Sequence, residues 1–245
     1  MKKMFYIAAI MLLTIGMVSC NKEEDTTNNN TNTPSGGTNP GTDPGTTPSV
    51  PDGYVDLGLP SGLLWAKCNV GATAPEEFGN YYAWGEVSTK DNYEWSTYIY
   101  ANGSERTLTK YNTSADYGTV DGKKTLEYAD DAAHVELGDG ARIPTYEEWE
   151  ELISGTTSEM TRENEVYGRK FTSKTNGKTI FIPTAGYKYQ TGTFDQNGIG
   201  IYWSSSLDLD HPYSAKSYRF YTSVSDMSYR DRYYGHSVRA VRPLR

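Results

Sequence analysis

Arg142-Ile-Pro-Thr-Tyr-Glu-Glu-Trp-Glu-Glu-Leu-Ile153 is the stretch from which the rest of the chain is read. Pro144 stops whatever strand or loop precedes it. Thr145 is a good helix N-cap, and Glu148 stands three residues on. That spacing makes a capping box: the hydroxyl takes one free N–H of the first turn and the carboxylate reaches back to another. Glu147, Glu148, Glu150 and Glu151 fall in the first two turns, where the helix dipole favours negative charge. Tyr146, Trp149, Leu152 and Ile153 recur at helical spacing and give one apolar face, and Gly155 follows as a stop. The reading is a short helix docked by a Trp and entered through an Arg-x-Pro-Thr corner. Its acids are read as capping and solvated groups and not as catalysts.

The chain has 245 residues, and its first part does not read as fold. Lys2 and Lys3 precede an apolar run, Met4 to Val18, too short for a comfortable transmembrane helix. The run ends Gly-Met-Val-Ser-Cys20, which resembles a bacterial lipobox. Residues 1–19 are therefore expected to be a lipoprotein signal peptide, and Cys20 the lipidated first mature residue that holds the protein to the membrane. Lys22-Glu-Glu-Asp25 resembles the export signal of surface lipoproteins in Bacteroidota-type bacteria, or is a plain solvated charge run. The expected location is the outer membrane, on the cell surface. Residues 20–52 hold the lipidated Cys and a tether, and from Thr26 to Pro51 the chain is mostly Thr, Asn, Gly and Pro with almost no large apolar side chain. The ends of this tether, as a random coil, lie on the order of 30 Å apart.

Residues 53–245 are enough for one domain with its own core. The whole chain carries a net charge of −8 and this block is acidic, which argues against nucleic acid as a partner. Of the two cysteines, Cys20 is assigned to lipid, so no disulfide is expected to support the fold, and Cys68 is expected as a small hydrophobe on a strand. The 21 tyrosines exceed what a core of this size needs, and exposed tyrosines suit a binding surface.

Along the domain, Tyr54–Leu59 and Leu63–Val70 read as a hairpin around Pro60-Ser-Gly62. Tyr81–Gly85 is a short aromatic strand or loop. Glu86 to Asp121 is a long irregular excursion carrying Tyr93, Trp95, Tyr98, Tyr100 and Tyr111, and long ordered loops are often functional. A short helix is expected near Asp130–Val135, led by Asp130 and Asp131. Tyr167–Ser173 and Lys178–Ile182 form a hairpin through Asn176-Gly177. Thr184–Tyr189 continues past Pro183, and Gly198–Ser206 is another strand. Ser214–Tyr221 is expected to pair with Ser237–Arg242, leaving Ser223 to Gly235 as a loop. The fold class is α+β, with antiparallel strands and hairpins and two short helices.

Several segments, in order, resemble the FISUMP-type (major paralogous) domain of lipoproteins from gut Bacteroidota. They are Val55–Leu59, Leu64–Ala72, Tyr82–Glu86, Asp130–Ala133, Arg142–Thr145 with Trp149, Ile180–Tyr187, Tyr202–Ser206 and Val238–Arg242. That family is similar in layout to the C-type-lectin-like fold and to the formylglycine-generating sulfatase-modifying enzymes, whose Arg-Leu-Pro-Thr-x-x-Glu-Trp-Glu corner Arg142–Glu150 matches. The resemblance implies a C-type-lectin-like domain. The cysteine pair of the oxidases does not occur near the C-terminal end. Neither do the Glu-Pro-Asn loop and Trp-Asn-Asp strand that hold calcium in sugar-binding C-type lectins, since the Trp203 strand reads Trp-Ser-Ser-Ser.

No metal or cofactor is expected. His134, His211 and His236 lack zinc-ligand spacing and are read as surface or capping histidines. Ser204-Ser-Ser206 has no nucleophile elbow around it and is read as a buried strand with satisfied hydroxyls. The candidate ligand residues lie in predicted loops: Tyr187 and Tyr189 with Phe194, then Asp208, Asp210 and Tyr213, then Tyr229, Arg230, Arg232 and Tyr233. Asp208 and Asp210, beside His211, are expected at a polar loop tip. Aromatic faces with Asp and Arg beside them suit a glycan, and a Tyr–Arg mixture also suits a protein. The expected function is non-catalytic binding of a glycan or protein ligand. The alternatives are an adhesin or structural subunit of a surface assembly such as a pilus tip, and a glycan-active enzyme.

Overall fold

The structure is a computed structural model that describes residues 49–244. In chain order it runs β1 (Tyr54–Asp56), β2 (Leu63–Asn69), β3 (Tyr81–Tyr82), α1 (Ala132–Leu137), α2 (Tyr146–Gly155), β4 (Thr156–Glu163), β5 (Val166–Ser173) and β6 (Thr179–Pro183). There follow β7 (Tyr187–Tyr189), β8 (Gly192–Phe194), β9 (Gly200–Leu207), β10 (Ser214–Tyr221), β11 (Val224–Asp231), β12 (His236–Ser237) and β13 (Arg239–Pro243). The signal peptide, Cys20 and the tether up to Pro48 lie outside the described residues.

The fold is α+β, with mostly antiparallel strands in several sheets and two helices. The opening corner forms as its sequence dictates. Thr145 Oγ1 accepts the Glu148 amide at 3.3 Å, and Glu148 Oε2 accepts the Thr145 amide at 2.8 Å. Arg142 then grips the same carboxylate with both guanidinium nitrogens, at 2.7 and 2.5 Å. Trp149 and Leu152 are fully buried, and Ile153 packs against the same core. Asp131 caps α1, accepting the amides of Ala133 and His134 on one oxygen and that of Ile143 on the other. The carboxylate thus joins the start of α1 to the Arg142 corner.

Two side-chain clusters fill the interior. One gathers Trp65, Trp149, Phe171, Tyr202, Tyr218 and Phe220; the other gathers Trp84, Tyr111, Ile143, Trp203 and the two alanines of α1. The central sheet has the order β11-β10-β9-β12-β3, and its single parallel pairing is β12 with β9. A second sheet, β1-β2-β13, sets Trp65 between Val55 and Val241. A third, β4-β5-β6, contains the hairpin at Asn176-Gly177.

Two expectations are corrected. Ser214–Tyr221 does not pair with Ser237–Arg242. It pairs with β9 and, through a two-residue turn, with β11, while β13 pairs with β2. Residues 223–235 are therefore mostly strand: Val-Ser-Asp-Met-Ser-Tyr-Arg-Asp lacks apolar alternation because β11 lies at the sheet edge, where neither face must be apolar throughout. The edge strand β4, Thr-Thr-Ser-Glu-Met-Thr-Arg-Glu, is silent in the sequence for the same reason and follows α2 with no linker.

Candidate binding site

The long excursion from Glu86 to Asp121 contains no α-helix and no extended strand, only isolated bridges and short 3-10 turns. It is held down by its aromatic residues. The Tyr93 hydroxyl donates to the Tyr81 carbonyl at 2.6 Å, and the Tyr98 hydroxyl donates to the Trp84 carbonyl at 2.7 Å. Tyr93 also exchanges both backbone hydrogen bonds with Gln190, just after β7. The β7 strand is fixed in turn by Lys188, which does the same with Gly235. Gly235 has to be glycine, because a Cβ there would stand 2.6 Å from the Tyr93 ring. Three distant segments therefore meet at one place.

At that meeting point Trp95 leads a 3-10 turn, Trp95–Thr97, and stands edge-on to Tyr98 at 5.7 Å and to Tyr233 at 5.0 Å. Tyr233 stacks on Tyr234 at 4.6 Å, Tyr234 on Tyr189 at 5.3 Å, and Tyr187 on Phe194 at 5.6 Å. A cavity of 300 Å³ opens among Glu94, Trp95, Ser96, Gly103, Tyr189 and Tyr233. The Glu94 carboxylate is positioned by Asn92 Nδ2 at 3.3 Å and Ser96 Oγ at 3.2 Å. The site thus offers aromatic edges and faces, one oriented carboxylate and hydroxyls. Burial and the neighbouring Tyr234 push the Tyr233 hydroxyl pKa upward, so it stays a neutral donor at physiological pH.

Of the candidate residues read from sequence, Tyr187, Tyr189 and Tyr233 come together here. Trp95 and Glu94 were missed as site residues, although the length and aromatic content of their loop carried the signal. Tyr229 and Arg230 are separated by the strand pleat: Tyr229 lies opposite Lys216 and Arg230 opposite Ala215, on alternate faces of β11. Arg230 stays half-buried near the Tyr187 and Tyr234 hydroxyls. Tyr229 belongs to another group, stacked on His211 at 5.5 Å, with Tyr213 edge-on to the same ring at 5.6 Å. Asp210 is exposed nearby.

Asp208 and Arg232 are corrected. Asp208 is not a loop-tip acceptor but 1% exposed, held by the Asp210 amide at 3.2 Å and facing Lys216 Nζ at 3.3 Å. Arg232 is fully buried over the rings of Trp84 and Tyr98, at 5.5 and 5.3 Å, and donates to the carbonyls of Lys110 and Tyr111. It is a core cation that pins the excursion from beneath, and no ligand reaches it. Ser204 and Ser206 hydroxyls are bonded as expected, whereas the buried Ser205 hydroxyl has no hydrogen-bond partner among the described residues.

His236 also departs from expectation. It is fully buried against Trp203 at 4.3 Å, with neither ring nitrogen hydrogen-bonded among the described residues. Burial, with Arg230 adding to it, holds its pKa well below the ordinary value. The unfolded chain therefore takes up a proton below pH ~6.5 that the native state refuses, so this contribution is intact above that pH and is lost as the pH falls. Unfolding free energy should drop by up to ~1.4 kcal/mol per pH unit between about pH 6.5 and 5. In His236→Phe that slope should flatten. Urea titrations across the window check it, and an unchanged slope in the variant would refute the assignment.

No family model, curated protein or solved structure matches this chain. Among the described residues no group of three or more His, Cys, Asp or Glu side chains converges as a metal site, and no helix is long and apolar enough to cross a membrane.

Proposed function

We propose that the chain is a surface-anchored lipoprotein with a C-type-lectin-like domain of the FISUMP type, which binds a glycan without chemistry. The observation that carries the reading is the cleft of Trp95, Tyr189 and Tyr233 around Glu94. Aromatic rings stack on the C–H faces of sugars, and the carboxylate, Ser96 and the tyrosine hydroxyls take the ring hydroxyls. The fold assignment is supported by the way its marker residues converge, with Trp65, Trp149 and Tyr202 in one cluster and Trp84, Trp203 and Ala132 in the other.

The full chain, purified in detergent and applied to a glycan array with and without calcium, tests the reading. Binding should survive chelation. Trp95→Ala should weaken it at least tenfold, as truncation of a central aromatic anchor does, while Tyr229→Ala leaves it unchanged. No glycan hit in either condition would transfer the cleft to a protein ligand and favour an adhesin subunit. The anchor is tested by the mass of the N-terminal peptide: a diacylglyceryl thioether on Cys20 is expected, and an unmodified Cys20 linked to Cys68 would overturn it.

A further inference from the structure

Beside the aromatic cleft, on the other side of the Trp95–Thr97 turn, lies a larger cavity of 530 Å³. The loop Glu86–Asn92 forms one wall, with Thr97 and Ile99 facing it. Its Lys90–Glu86 pair is turned inward, while Asp91 is exposed. Lys90 Nζ is bound to Glu86 Oε1 at 2.8 Å and to the Thr97 carbonyl at 3.1 Å, and it lies over the rings of Tyr93 and Tyr98. Glu86 is 5% exposed and accepts the Ile99 amide on the same oxygen. Besides Asp91, what remains toward solvent is Val87, the Ile99 side chain at 60% exposure, and the polar groups of Ser88, Thr89 and Asn92.

Asn92 joins the two cavities. It lines the larger one, and its side-chain amide donates to Glu94 in the smaller. The Thr97 hydroxyl, at the end of the same turn, donates to the Asn92 carbonyl at 2.7 Å. A ligand seated on Trp95 is therefore one short turn from the second cavity. The charges along this path decide its class. Asp91 and Glu94 flank it, and Lys90, the one cation lining either cavity, is consumed by Glu86. An anionic chain would meet two carboxylates with no available counter-charge.

We infer that the two cavities form one extended site for a neutral oligosaccharide, one ring seated at Trp95–Tyr189–Tyr233 and the chain continuing over Ile99. The inference rests on the glycan reading of the aromatic cleft. Calorimetry of the full chain against cello-, malto- and β-1,4-linked N-acetylglucosamine oligomers, from disaccharide to hexasaccharide, tests it, with oligogalacturonides as the acidic arm. For the neutral series that binds, affinity should rise at least tenfold from disaccharide to tetrasaccharide. In Ile99→Ala the ratio of tetrasaccharide to disaccharide affinity should fall toward one, and Trp95→Ala should weaken every length. Affinity that is flat with length but still depends on Trp95 would overturn the extension and leave the cleft standing. Acidic oligomers that equal or exceed the neutral ones would overturn the ligand class. Neutral oligomers that bind without regard to Trp95, or do not bind at all, would overturn both readings.

Discussion

Arg239→Met is expected to lower the unfolding free energy by ~3 kcal/mol, because it leaves several buried acceptors without their donor. Arg239 is fully buried and has no carboxylate partner among the described residues. Its Nε donates to Asn69 Oδ1 at 3.0 Å, one Nη to the carbonyls of Ala66 (3.0 Å) and Lys67, and the other to the Phe181 carbonyl at 3.1 Å. The guanidinium thus fastens β13 to β2 and β6. Burial pulls its pKa down to about 10, so it stays charged at neutral pH, at a desolvation cost. Two terms oppose each other on substitution. Methionine removes that cost, but it orphans four acceptors, and an unsatisfied buried acceptor costs ~1–3 kcal/mol. The second term wins because the partners remain in place. Arg239→Lys should recover little, since a single ammonium lacks the planar fork that reaches acceptors on both strands. Urea unfolding near pH 7 measures it, and a loss under ~1 kcal/mol would show that water replaces the guanidinium.

Trp149→Ala should cost as much or more, ~3–5 kcal/mol for a buried aromatic. The indole is fully buried at the point where α2 meets the sheet. It stands edge-on to Trp65 at 4.9 Å and stacks on Tyr218 at 4.8 Å, and its Nε1 donates to the Trp203 carbonyl at 3.2 Å. Truncation opens a cavity that three other rings line and leaves that carbonyl without its donor. Trp149→Phe should recover most of the packing and lose mainly the hydrogen bond, ~1 kcal/mol. Equal losses in the two variants would mean that the hydrogen bond, and not the ring volume, docks the helix.

Local signals in the sequence were reliable where the physics is local. The Thr145–Glu148 capping box, the Asp131 cap and the Asn176-Gly177 turn are set by neighbours a few residues apart, and each forms as read. Edge strands were not legible. Both β4 and β11 have one side open to solvent, and that relaxes the alternation by which strands announce themselves. Burial of charge was not legible either: Arg232 is taken in by carbonyls at Lys110 and Tyr111, and Arg239 by Asn69 and Phe181, all far away in the chain. The aromatic site was half legible for the same reason. Tyr187, Tyr189 and Tyr233 were visible as loop aromatics, but only the tertiary fold brings Trp95 and Glu94 to them.

The sheet order β1-β2-β13 has a kinetic consequence. Leu63–Asn69 must wait for Arg239–Pro243, with Arg239 170 residues beyond Asn69 in the chain, before its second edge is closed. Pairings of such sequence separation slow folding, because loop closure comes before the contacts that reward it. While the chain is being synthesised, the β2 strand with Trp65 waits with one open side. A chain ending before Arg239 would keep that edge open indefinitely, so the domain has no autonomous N-terminal half and its second sheet closes only when β13 is made.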